Sequence, residues 1–65
     1  MNIGEKIRSL REQHGISQQE LSDQVKCTPS MICQIERGTK VPTILLANEI
    51  AEVFGCTVDE LLKPV

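Results

Sequence analysis

Cys27, Cys33, Cys56 and His14 are the side chains of this 65-residue sequence with the widest chemical reach. A thiolate can attack, cross-link or bind a metal, and an imidazole can carry a proton or a metal. Their spacing supports none of these roles. Five residues lie between Cys27 and Cys33 and twenty-two between Cys33 and Cys56, so no C-x-x-C pair exists for zinc. His14 has no second ligand three or four residues on. No cysteine has a neighbouring histidine in sequence to act as an orienting base. Three is an odd number, so a disulfide framework would leave one thiol over, and reduced thiols are the simpler expectation. His14 beside Gly15 reads as a favourable charge at a helix C-terminus. A chain this short has little room for a deep pocket. No enzyme, metal, cofactor or small-molecule ligand is therefore expected.

The charged residues are more informative. The net charge is −2, which on its own argues against nucleic acid. Its distribution argues otherwise. Residues 1–25 set Lys6, Arg8 and Arg11 against Glu5, Glu12, Glu20 and Asp23, a net of −1. Residues 26–40 set Lys26, Arg37 and Lys40 against Glu36, a net of +2. Residues 41–65 set Lys63 against Glu49, Glu52, Asp59 and Glu60, a net of −3. A basic middle between acidic ends is either a mixed solvated surface or an anion-facing patch.

The elements that must position these groups are legible from their ends. Ser17-x-x-Glu20 and Thr57-x-x-Glu60 are capping boxes, and Asn2-x-x-Glu5 is a looser one. Ile16 can staple onto Leu21, and Cys56 onto Leu61. Thr28 before Pro29 is an N-cap with proline at the first helical position, and Thr43 after Pro42 starts another helix. Gly15, Gly38 and Gly55 stand where helices should stop in the left-handed conformation. Between these marks apolar residues keep helical spacing, which predicts helices over about 3–14, 18–25, 29–37, 44–54 and 58–62. The apolar residues so spaced are Ile3, Ile7, Leu10, Leu21, Val25, Ile32, Ile35, Leu46, Ala47, Ile50, Ala51, Phe54, Val58, Leu61 and Leu62. The fold class is all-α, a compact bundle of five short helices forming one domain over 1–65. The short link Lys26-Cys27-Thr28 favours a sharp corner between the second and third helices, the geometry of a helix-turn-helix. Ser22 is small enough to let them approach. The start Met1-Asn2-Ile3-Gly4-Glu5-Lys6 has no apolar stretch behind a basic region, and no apolar run nears the roughly 20 residues of a membrane span. A cytoplasmic protein with no membrane partner is expected.

Ile3-Gly4-Glu5-Lys6-Ile7-Arg8-Ser9-Leu10-Arg11, Gly15-Ile16-Ser17-Gln18-Gln19-Glu20-Leu21, Ile35-Glu36-Arg37-Gly38, Pro42-Thr43, Ile50-Ala51-Glu52-Val53-Phe54-Gly55 and Val58-Asp59-Glu60-Leu61-Leu62 follow in order over nearly the whole chain. Together they resemble the Xre/Cro-type helix-turn-helix family of phage and bacterial repressors, with their lambda-repressor-like DNA-binding domain. The resemblance implies a helix-turn-helix over 18–37 with the third helix in the major groove. It also implies a structural ion pair between Arg11 and Glu36. The sequence departs from the family pattern at Lys26, where glycine is usual, and at Cys27. Pro29, Met31 and Cys33 make the reading face poorer in amide and basic groups than is common.

If Ile32 and Ile35 face the core, the opposite side of the third helix presents Pro29, Ser30, Cys33, Gln34 and Arg37. Gln34 is the foremost base reader, because its amide can bond bidentately to adenine. Ser30 is less discriminating. Met31, at the edge, either touches a thymine methyl or packs beside the second helix, and Cys33 can make a similar apolar contact. Oxidation of Cys33 would place a polar group there, although an incidental small side chain is the plainer reading. Phosphate contacts are expected from Ser17, Gln18, Thr28, Arg37, Thr39 and Lys40. The expected function is a sequence-specific DNA-binding transcriptional regulator, a repressor on a palindromic operator. Its partners would be double-stranded DNA and a second copy of the chain. Because the sequence ends at Val65, the dimer is expected to use this domain itself, through Leu45, Val53, Leu61, Leu62 and Val65, with Glu49, Glu52 and Lys63 toward the rim. An antitoxin-like module that neutralises a partner protein is the alternative.

Overall fold

Capped runs of helically spaced apolar residues form five helices in the computed structural model, which describes residues 3–62. They are α1 (Ile3–Gln13), α2 (Gln18–Gln24), α3 (Pro29–Arg37), α4 (Ile44–Val53) and α5 (Val58–Leu62). This is the all-α bundle expected from the caps. Asn2, the expected cap of α1, and Lys63, Pro64 and Val65 lie outside the described residues. Three helices stop one residue earlier than the apolar spacing suggests. At α2 and α4 the reason is visible: Val25 and Phe54 already have ψ of 10° and 1°, which opens the last turn.

The starts of α2, α3, α4 and α5 are each held by a hydroxyl. Ser17 Oγ accepts from the Glu20 amide, and the Glu20 carboxylate accepts from the Ser17 amide, a complete capping box. Thr28, Thr43 and Thr57 accept from the amides of Met31, Leu46 and Glu60. Four helix ends share one device. A left-handed residue reverses the chain, and the next amide bonds back five residues: Ile16 to Arg11, Cys27 to Ser22, Thr39 to Gln34 and Cys56 to Ala51. The left-handed residue is Gly15, Gly38 or Gly55 at three of them, and Lys26 (φ 58°) at the end of α2. A lysine in this conformation costs about 1–2 kcal/mol that glycine avoids.

α1 packs on α3 and α5, α2 on α3 and α4, and α4 on α5. Their shared core is Ile7, Leu21, Val25, Ile32, Ile35, Ile50, Ala51, Phe54 and Leu61. Ser22 is fully buried among them; its hydroxyl donates to the Gln19 carbonyl, so the small polar group is satisfied. Gly4 sets how closely α1 meets α3. A Cβ there would collide with the backbone carbonyl oxygen of Ile35 and lie 3.1 Å from that of Glu36. Backbone oxygens cannot swing aside as a side chain can, so α1 would have to retreat.

Gly4→Ala is a test in which two effects oppose. Helix propensity alone favours alanine by about 1 kcal/mol, while forced overpacking costs typically 1–3 kcal/mol or more. The collision should win, and thermal unfolding should show a lower Tm for the variant. A raised Tm would show that the α1–α3 seam yields without cost.

Candidate functional site

The α2–turn–α3 unit presents its outer surface on one side and a buried carboxylate on the other. Glu36, in the last turn of α3, has a side chain only 3% exposed. Arg11 of α1, 14% exposed, grips it with both arms: Nε donates to Oε2 at 2.7 Å and Nη2 to Oε1 at 3.3 Å. The third guanidinium nitrogen, Nη1, donates to the Ile16 carbonyl at 2.9 Å. Gln18 at the start of α2 donates from Nε2 to Glu36 Oε1 at 3.1 Å. The hydrogen bond that Arg11 donates to Glu36, reinforced by the charges of Glu36 and Glu12, holds the Arg11 pKa above its ordinary value despite burial. The cluster joins α1, α2 and α3 and cancels the one negative charge in the segment 26–40.

The basic residues of that segment are left uncompensated. Lys26, Arg37 and Lys40 are exposed, and none pairs with a carboxylate among the described residues. Between them, Ser30 is exposed, and Cys33 and Gln34 are half-buried on the outer side of α3. The Gln34 amide bonds to no other described residue. Met31 packs partly against the core, so it stands at the margin of this face. Ser17 and Thr28 are exposed caps. Thr39 is a correction to the sequence reading. Its amide and hydroxyl both donate to the Gln34 carbonyl, at 3.0 Å each, which leaves it no donor for a phosphate in this arrangement. The Lys40 amide reaches the same carbonyl at 3.3 Å while its ammonium stays outside.

The apolar residues assigned to a dimer surface divide. Leu45 and Leu62 are exposed. Val53 is half-buried against the core. Leu61 is corrected: at 1% exposure it is a core residue, because α5 turns it inward against its neighbours and leaves Leu62 outside. Val65 lies outside the described residues. Glu49, placed toward the rim from the sequence, is half-buried, whereas Glu52 is exposed. Val41 and Ile44 are exposed apolar residues that the sequence reading passed over, and exposure across Val41, Ile44, Leu45 and Leu62 runs from 62% to 81%. The signal was the run Ile44-Leu45-Leu46 at a helix start, since three consecutive positions cannot all face one core.

Two of the thiols, Cys27 and Cys56, are held back from ionising. Burial, helped by Glu49, pushes the Cys27 pKa up; burial and Glu60 push Cys56 up against the opposing charge of Lys6. Among the described residues no group of three or more His, Cys, Asp or Glu is placed to hold a metal ion, and no pocket opens. No helix of these residues is long and apolar enough to cross a membrane.

Residues 7–61 match the Helix-turn-helix family. The HTH-type transcriptional regulator RamB of Mycobacterium tuberculosis is 36% identical over 53 residues, covering 82% of this chain but only 11% of RamB, so the chain spans about a tenth of that relative's length. The HTH-type transcriptional regulator YgzD of Bacillus subtilis is 34% identical over 56 residues, 86% of this chain and 85% of YgzD. The P22 c2 repressor protein, in a crystal structure with synthetic operator 9T, superposes with a TM-score of 0.92 at 30% identity over 97% of this chain and 96% of that one. The chain belongs to the Helix-turn-helix family.

The Arg11–Glu36 cluster should prove structural. Removing one partner of a buried pair strands the other charge and typically costs about 3–5 kcal/mol. Arg11→Ala and Glu36→Ala should each lower the Tm by more than about 10 °C, since 1 kcal/mol moves a domain of this size by roughly 4–8 °C. Melting curves that match the parent for both variants would make it an ordinary surface pair.

Proposed function

We propose that this chain is a sequence-specific DNA-binding transcriptional regulator, a repressor that binds a palindromic operator as a homodimer with α3 in the major groove. The observation that carries this reading is the charge balance of α3. Glu36 is neutralised inside the fold, while Arg37 and Lys40 stand exposed and unpaired beside an amide with no partner, that of Gln34. Such a face attracts phosphate and offers base edges a donor and an acceptor. The likeness to the P22 c2 repressor, solved with a synthetic operator, supports the same use of the fold.

In this reading Gln34 reads a base pair, Ser30 and Cys33 touch neighbouring base edges, and Met31 contacts a thymine methyl from the margin. Ser17, Gln18, Thr28, Arg37 and Lys40 hold phosphates. Gln18 has one amide hydrogen engaged by Glu36, and in this reading the other donates to a phosphate. Val41, Ile44, Leu45 and Leu62 supply the apolar surface on which a second copy sits, with Val53 at its edge. Large apolar residues exposed at this level on so small a protein mark a binding surface. A cytoplasmic location goes with this reading, where DNA and reduced thiols are both found.

Selection from a random duplex pool should enrich a two-fold symmetric sequence. On that sequence Gln34→Ala should lose about 1–3 kcal/mol and relax the preference at one base pair per half-site. Lys40→Ala should weaken binding evenly across sequences and flatten a log–log salt slope of about −5 to −7 for the dimer. If no sequence is enriched, the specific reading is wrong. Sedimentation at micromolar concentration should show a dimer for the parent and monomers for Leu45→Glu and Leu62→Glu. Folded dimers of both variants would move the interface elsewhere.

A further inference from the structure

Lys26 is the one non-glycine residue with positive φ among the described residues. The three other helix ends that make the same backward bond carry Gly15, Gly38 and Gly55. A Cβ at Gly15 or Gly55 would meet nothing within 4 Å, so glycine stands there for its backbone and not for want of space. The same backbone demand at position 26 is met by a lysine at the cost of local strain. Strain of this kind persists only where the surrounding structure enforces it, and it clusters at functional sites.

The fold offers Lys26 little in return. Its ammonium is exposed and pairs with no carboxylate among the described residues. It follows the C-terminus of α2, where a cation is favoured, but at an exposed site that effect is weaker than the strain and is screened by salt. Its place is more telling. Lys26 stands two residues before Thr28, the N-cap of α3, while Arg37 and Lys40 stand at the other end of the same helix. The nine residues of α3 span about 13 Å, close to the roughly 12 Å width of the major groove. Unpaired cations thus bracket the reading helix at both ends.

We infer that Lys26 is a further phosphate-contacting residue of the interface, kept at a position where the backbone favours glycine. The inference rests on the DNA-binding reading above.

Four purified proteins test it: the parent, Lys26→Gly, Lys26→Asn and Lys26→Arg. Each is melted, and each is titrated with the selected duplex and with a mixed-sequence duplex over a range of salt. Glycine and asparagine both accept the left-handed backbone and lack the charge. Both variants should bind either duplex about three- to tenfold more weakly, with the salt slope flatter by about 0.9 for each lysine removed. Lys26→Arg should bind like the parent, and Lys26→Gly should melt higher than the parent while binding less well. Parent-like affinity and slope in Lys26→Gly would overturn the inference and leave the DNA-binding reading intact. Loss of binding in Lys26→Arg equal to that in Lys26→Gly would also overturn it, since the charge would then not be the cause. A parent that retains neither duplex at low salt overturns both readings together.

Discussion

A carboxylate taken out of water in so small a core is tolerated only if its charge and lone pairs are met, and Glu36 depends on Arg11 for this. The guanidinium meets both carboxylate oxygens and turns its remaining nitrogen to the Ile16 carbonyl, while Gln18 adds a neutral donor. One charge pair thereby ties the first helix, the loop that ends it, the start of the second helix and the end of the third. The α1–α3 seam closes at two places, at Gly4 by the absence of a side chain and at Arg11 by the presence of a long one. Seven residues apart on α1, the two anchors are about 10 Å distant along the axis, which fixes the position of α3 and not merely its attachment.

The electrostatic consequence reaches the surface. The segment 26–40 has a net charge of +2 on paper. With Glu36 already compensated from within by Arg11, its three cations act with nothing nearby in that segment to offset them. A chain that is acidic overall thus carries a locally basic face, and field strength at close range follows the local charges more than the sum. Of the acidic residues of α4 and α5, Glu49 comes near enough to the α2–α3 turn to act on Cys27.

How much of this was legible in advance varied by residue. Helix starts were plain because a hydroxyl three residues before an amide is a local device, and Ser17, Thr28, Thr43 and Thr57 all act as expected. Leu61 and Leu62 were not separable, because adjacent residues on a five-residue helix differ only in which way the helix is rolled, and the packing of α5 on α1 and α4 sets that roll. Thr39 was misjudged for a related reason. Its donors look available in a loop sequence, yet the turn after α3 folds them back onto the Gln34 carbonyl. Gly4 gave a faint signal, a glycine inside a helical pattern, and only the crossing of α1 over the Ile35 carbonyl explains it.

Local chemistry written in the chain was enough to determine the number of helices, their ends, the left-handed stops and most of the core, because each depends on residues within one or two turns. The family pattern likewise pointed to Arg11 and Glu36. Tertiary structure alone decided which side of α5 faces inward, that Gln18 shares the Glu36 carboxylate, that Val41 and Ile44 stay outside, and that Lys26 takes the left-handed conformation that glycine takes elsewhere. These depend on how helices far apart in sequence meet, and burial, hydrogen-bond sharing and roll are properties of that meeting.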